Sequence, residues 1–139
     1  MTSPDHSELE AGPRAAAISN AMVQLLHEYT GRGPTRARTT LDDDLVVCVL
    51  ADTLTAGERR LVGGGEERLV LEQRSTFQRL MRADAVAAIE GITGRKVAAF
   101  MSNNHVDPDM AVETFVLERQ HGAPRPADAL RGGQSGWPS

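Results

Sequence analysis

The sequence predicts an α+β domain of the order helix, hairpin, helix or helices, hairpin, with a four-stranded antiparallel sheet carrying helices on one face. Three observations lead there. Apolar residues over 18–29 repeat at helical spacing, and a longer helical repeat occupies 69–92. Two pairs of short strand-like runs, 35–50 and 97–117, stand one after each repeat and each contains a cluster of turn residues. Helices and hairpins in succession, without alternating single strands, point to α+β and not to a parallel sheet. A chain of 139 residues fits one domain.

Each element has its own warrant. Residues 1–13 are polar and broken by Pro4 and Pro13, and read as a disordered leader. Ile18, Met22, Leu25, Leu26 and Tyr29 then form one stripe of an amphipathic helix. Met22 belongs to the core and His27 lies off the stripe. Gly31 supplies a left-handed C-terminal turn and Pro34 prevents continuation. Residues 35–41 alternate Arg36 and Arg38 against Ala37 and Thr39; Asp42, Asp43 and Asp44 make a turn; residues 45–50 are continuous apolar strand.

Thr55 and Glu58 have capping-box spacing, so a helix starts at Ala56 with Leu61, Val62 and Gly65 inward. Gly63, Gly64 and Gly65 either break this helix or leave a weak spot, at about 1 kcal/mol each relative to alanine. The long helix carries Leu69, Val70, Gln73, Phe77, Leu80, Met81, Ala85, Ala88, Ile89 and Ile92 on its stripe. Gly94 closes it, with Arg95 and Lys96 beside its negative end. Residues 97–101 and 111–117 are the last two strands, joined by a turn-rich connection over 102–109. The tail from 120 to 139 reads as disordered, leaving 14–119 as the folded unit.

Composition narrows the function. The net charge is −4, from 15 Lys+Arg and 19 Asp+Glu, so nucleic acid is not an expected partner. No apolar run approaches the roughly 20 residues of a bilayer span, and no signal-peptide pattern opens the chain. The expected location is cytoplasmic, with no direct membrane insertion. The single Cys48 excludes an intrachain disulfide and, set among valines, reads as a buried small hydrophobe. Its solitude also excludes zinc-finger spacings. With no nucleophile–base pair, nucleotide fingerprint or metal motif, the reading is of a protein with no catalytic residues, no cofactor and no metal.

Two stretches carry the candidate site. Arg32, Gly33, Thr35, Arg36 and Arg38 form a basic, donor-rich loop that suits a phosphate or carboxylate. It follows a helix C-terminus, whose dipole does not favour an anion, and the arginines have Asp42, Asp43 and Asp44 as alternative partners. Asn103, Asn104, His105 and Asp107 form the second stretch; His105 with Asp107 has the makings of proton transfer or metal binding, and equally of an ordinary turn. Both connections can lie at one end of a shared sheet. Arg74, Arg79 and Arg82 offer a solvated helix face or a docking surface for an acidic partner.

Several motifs in series resemble one family. They are Tyr29-Thr-Gly-Arg-Gly-Pro-Thr-Arg-Ala-Arg38, Asp44-Leu-Val-Val47, Asp52-Thr-Leu-Thr-Ala-Gly-Glu58, Phe77-Gln78, Thr93-Gly-Arg-Lys-Val97 and Phe100-Met-Ser-Asn-Asn-His-Val-Asp-Pro-Asp109. Over about residues 14–119 the chain resembles the membrane potential-generating system MpsC family. The resemblance implies a small soluble bacterial protein linked with a membrane system of cation or bicarbonate movement, and supplies no catalytic residues. It implies a noncatalytic accessory or regulatory role beside a membrane transporter subunit. A small-anion or nucleotide sensor at 31–38 and a small enzyme using His105 and Asp107 are the alternatives. A homodimer is a further expectation, because a small sheet leaves a face or edge to cover.

Overall fold

The computed structural model describes residues 6–119, as three helices and one four-stranded sheet. Helix α1 is His6–Thr30, followed by strands β1, Arg36–Asp42, and β2, Leu45–Ala51. Helices α2, Ala56–Gly63, and α3, Glu67–Thr93, come next, then β3, Val97–His105, and β4, Met110–Leu117. All pairings are antiparallel, in the order β1-β2-β4-β3. The second hairpin thus adds to the first through β4, and β1 and β3 are the edges.

Helix α1 begins at His6, inside the stretch 1–13, and runs through Pro13. An interior proline removes one helical N–H bond, and Arg14 followed by Ala15, Ala16 and Ala17, all strong helix formers, carries the helix on. Residues 1–5 and the tail 120–139 lie outside the described residues.

Strand alternation places one face of the sheet under the helices. Val46, Cys48, Leu50, Ala111, Phe115 and Leu117 are buried there against Ile18, Met22, Leu26, Met81, Ala85 and Ile89. Phe100 and Phe115 stack with ring centroids 4.6 Å apart. Tyr29 ties the end of α1 to α3 by donating its hydroxyl to Asp84 Oδ2 at 2.7 Å. A smaller apolar cluster of Leu54, Val70 and Val106, with Leu61 and Val62, sits under α2.

The three glycines do break the helix. Gly63 ends α2, and Gly65 takes φ +85, a left-handed turn outside both helices and away from the core. The stripe of α3 is also narrower than its spacing suggests. Val70, Met81, Ala85 and Ile89 are buried, whereas Leu69 and Leu80 face solvent, Leu80 at 62% exposure. They stand one position away from Val70 and Met81, off the buried stripe of α3.

Candidate functional site

Strand register brings the two candidate stretches to one end of the sheet. Arg36 pairs with Ala51, Ala51 with Met110, and Met110 with His105. The segment 52–55 bridges them: Asp52 N donates to the Asp109 carbonyl at 3.1 Å. Their adjacency follows from topology.

Within the first stretch the roles divide. Gly31, at φ +81, closes α1 by donating its N–H to the His27 carbonyl at 2.9 Å. Arg32 donates Nε to the Asp52 carbonyl at 3.0 Å, and the Thr35 hydroxyl donates to the Asp52 carboxylate. Gly33 lies against Val23 and His27 of α1. Arg32, Gly33 and Thr35 therefore pack the loop onto its neighbours. Arg36 and Arg38 behave differently: both are exposed and share one face of β1. Neither has an ion pair with the triplet of aspartates. Asp44 instead accepts from Arg95 at 2.6 Å and Arg119 at 2.9 Å, which hold its carboxyl below the usual range.

The second stretch is corrected in kind. Asn103, Asn104 and His105 belong to β3, and only residues 106–109 turn. Asn103 and His105 lie on the same sheet face as Arg36 and Arg38, while Asn104, opposite buried Ala111, lies on the helix side. His105 Nδ1 lies 2.7 Å from the Pro108 carbonyl, which accepts from it, so the ring is engaged within its own turn and not with Asp107. Asp107 is exposed.

That shared face is the distinctive surface. Across its middle run Leu45, Val47 and Val49 of β2 and Val112, Thr114 and Val116 of β4, flanked by Met101 of β3. None is fully buried, and Met101 is 50% exposed. Among the described residues no helix covers this apolar strip, which Arg36 and Arg38 border on one side and Asn103 and His105 on the other.

A buried polar network holds the sheet end together, and the sequence reading did not find it. Arg74, expected on a solvated face with Arg79 and Arg82, is 1% exposed. It donates Nε to Glu58 Oε2 at 3.0 Å and Nη2 to Glu58 Oε1 at 2.6 Å, and also reaches the Thr53 carbonyl. Glu58 completes the capping box with Thr55 at the same time. The Asp109 carboxylate accepts from Thr53 N, Thr53 Oγ1 and Leu54 N at 2.9 to 3.3 Å. The capping box was the available signal: a glutamate anchored there can serve a second donor from the neighbouring helix.

Among the described residues no cluster of three or more His, Cys, Asp or Glu is placed to hold a metal ion. No helix among them is long and apolar enough to cross a membrane. The family model described as "Na+-translocating membrane potential-generating system (MpsC)" matches residues 10–119. The chain belongs to the MpsC family. It is also similar to the uncharacterized protein YrhF of Bacillus subtilis (strain 168), with 26% identity over 105 residues, covering 74% of this chain and 86% of that protein. No solved structure matches. Membership covers both candidate stretches and the uncovered sheet face, and connects the MpsC chain with a membrane-potential system.

Proposed function

We propose that this MpsC chain is a noncatalytic accessory protein that docks, through the uncovered face of its sheet, on a membrane subunit of a Na+-translocating system. The observation that carries the reading is the apolar strip itself, bordered by Arg36 and Arg38 without acidic partners among the described residues. An apolar surface rimmed by unneutralised guanidinium groups complements a partner that is apolar at its centre and carries carboxylates at its edge. The partner is therefore a protein surface of that chemistry, and the role is regulatory because the face offers contact and no reactive group.

The test is direct binding to vesicles reconstituted with the system's membrane subunits. Binding should weaken as salt rises, because the guanidinium rim is exposed. An Arg36→Glu/Arg38→Glu variant should bind about tenfold more weakly or worse, chiefly through slower association. Equal binding by the variant contradicts the reading. So does occupation of the face by a second copy, seen as a dimer in light scattering that the variant abolishes without any effect on vesicles.

A further inference from the structure

On the other side of β3, facing the helices, a cleft of about 270 Å³ opens between α3 and β3. Ser75, Gln78, Arg79 and Arg82 line it from the helix, and Phe100 and Ser102 from the strand. The two guanidinium groups here have no carboxylate partner among the described residues. Arg79 donates to Thr76 Oγ1 at 3.1 Å; Arg82 donates to the Phe100 carbonyl at 3.2 Å and stands 5.5 Å from the centre of the Phe100 ring. Both retain further N–H donors. At the floor, Ser102 Oγ is buried without a hydrogen-bond partner. Directly across the β3–β4 register is Glu113, 3% exposed, with both carboxylate oxygens buried and equally unpartnered.

Buried polar groups left unpaired are costly, and a cluster of them behind two unneutralised cations marks a place where something else completes the bonding. We propose that this cleft binds a small oxyanion, held by Arg79 and Arg82, with an oxygen that takes the Ser102 hydroxyl as donor and thereby isolates Glu113. The volume, just below that of common ligand pockets, accommodates a tetrahedral oxyanion or a short hydroxycarboxylate. The site is independent of the docking face, which is the opposite side of the sheet.

A proton linkage follows. Burial pushes the Glu113 carboxyl up to about 7, and the nearby Ser102 hydroxyl draws it back slightly, although no well-formed hydrogen bond joins them. Beside Glu113 in the register is Cys48 of β2, whose thiol burial pushes up, and beyond Cys48 stands Thr39 of β1, which bonds Ser19 of α1 at 2.8 Å. From α3 the charged groups at the cleft are Arg79 and Arg82. An anion bound beside Ser102 adds negative charge near the Glu113 carboxylate, raises its pKa further and so binds with proton uptake. Affinity therefore increases as pH falls through neutrality.

Sulfate and lactate test this, since neither changes charge near neutral pH. Each is titrated into the full chain by amide NMR at about pH 6 and about pH 8, a window that brackets the Glu113 titration. The expected result is saturable shifts at Ser75, Gln78, Arg79, Arg82 and Ser102, with tighter binding at the lower pH. Arg79→Gln/Arg82→Gln should weaken binding about tenfold or more, the loss of charge-assisted bonds. Arg79→Gln alone, which disturbs only the bond to Thr76, keeps the test readable if the double variant folds poorly. Glu113→Gln should abolish the pH dependence. Binding of sulfate alone assigns the cleft to tetrahedral oxyanions and of lactate alone to carboxylates; both uphold the site. Saturation by neither, unchanged titration in the arginine variants, or shifts centred on Arg36 and Arg38 overturns it, and pH-independent binding overturns the role of Glu113.

Discussion

Among the described residues three charged side chains are buried, and their surroundings treat them in opposite ways. Glu58 and Arg74 pair at 2% side-chain exposure each, with Gln73 and the capping box also bonding Glu58, although Arg74 Nη1 stays without a hydrogen-bond partner. Removing one partner strands the other, so Arg74→Met should destabilise by about 3–5 kcal/mol in urea unfolding. Glu58→Gln/Arg74→Met should cost less than the two single changes added together, because the second removes a charge already stranded. Glu113 has the opposite fate, burial without a partner among the described residues. With its carboxyl moved from 4.5 to about 7, the folded state holds a proton over that interval that the unfolded chain has released. Stability should therefore fall as pH rises from about 4.5 to about 7 and then level off, by on the order of 3 kcal/mol relative to a Glu113→Gln reference. A flat difference between wild type and variant across that interval would remove the assignment. Neither fate was legible in the sequence. Val112, Thr114 and Val116 make the uncovered face of β4 look like the inner one, so the alternation disguises Glu113 as a surface residue. Arg74 sits among other helix arginines, and only Glu58, held from α2, distinguishes it.

At the scale of elements, local chemistry was readable wherever backbone demands set it. The Thr55–Glu58 box starts α2, Gly94 ends α3 at φ +70, and Gly31 ends α1. The hinge over 63–65 was visible as composition, but its outcome was decided by geometry. Gly65 needs its left-handed φ, whereas a Cβ on Gly63 meets nothing within 4 Å. Gly65→Ala should accordingly cost about 1–2 kcal/mol. Gly63→Ala should be neutral or stabilise by up to about 1 kcal/mol, since it limits only the unfolded chain and improves helix propensity. Thermal unfolding of the pair measures both; equal effects of the two changes would contradict the hinge. Strand ends were misread because β3 continues through Asn103, Asn104 and His105, residues with turn chemistry that cross-strand pairing with β4 overrides. Pro13 is a local signal of interruption, and α1 runs through it.

At the scale of the whole molecule, the α+β class and the single helix-covered face followed from periodicity, while the strand order did not, since nothing local chooses which hairpin strand pairs with which. That order builds the proposed docking face. Pairing β2 with β4 gathers Leu45, Val47, Val49, Val112, Thr114 and Val116 into one continuous apolar strip and sets Arg36 and Arg38 along its border. The most direct measurement is site-specific photo-crosslinking in vesicles holding the membrane subunits of the Na+-translocating system. Photoreactive side chains are placed at Arg38 and Thr114 on the sheet face, and at exposed Leu80 of α3, away from that face. Crosslinks to a membrane subunit from Arg38 and Thr114, and none from Leu80, are the predicted result. Crosslinks from Leu80 alone, or from the sheet positions only to other copies of this chain, contradict it.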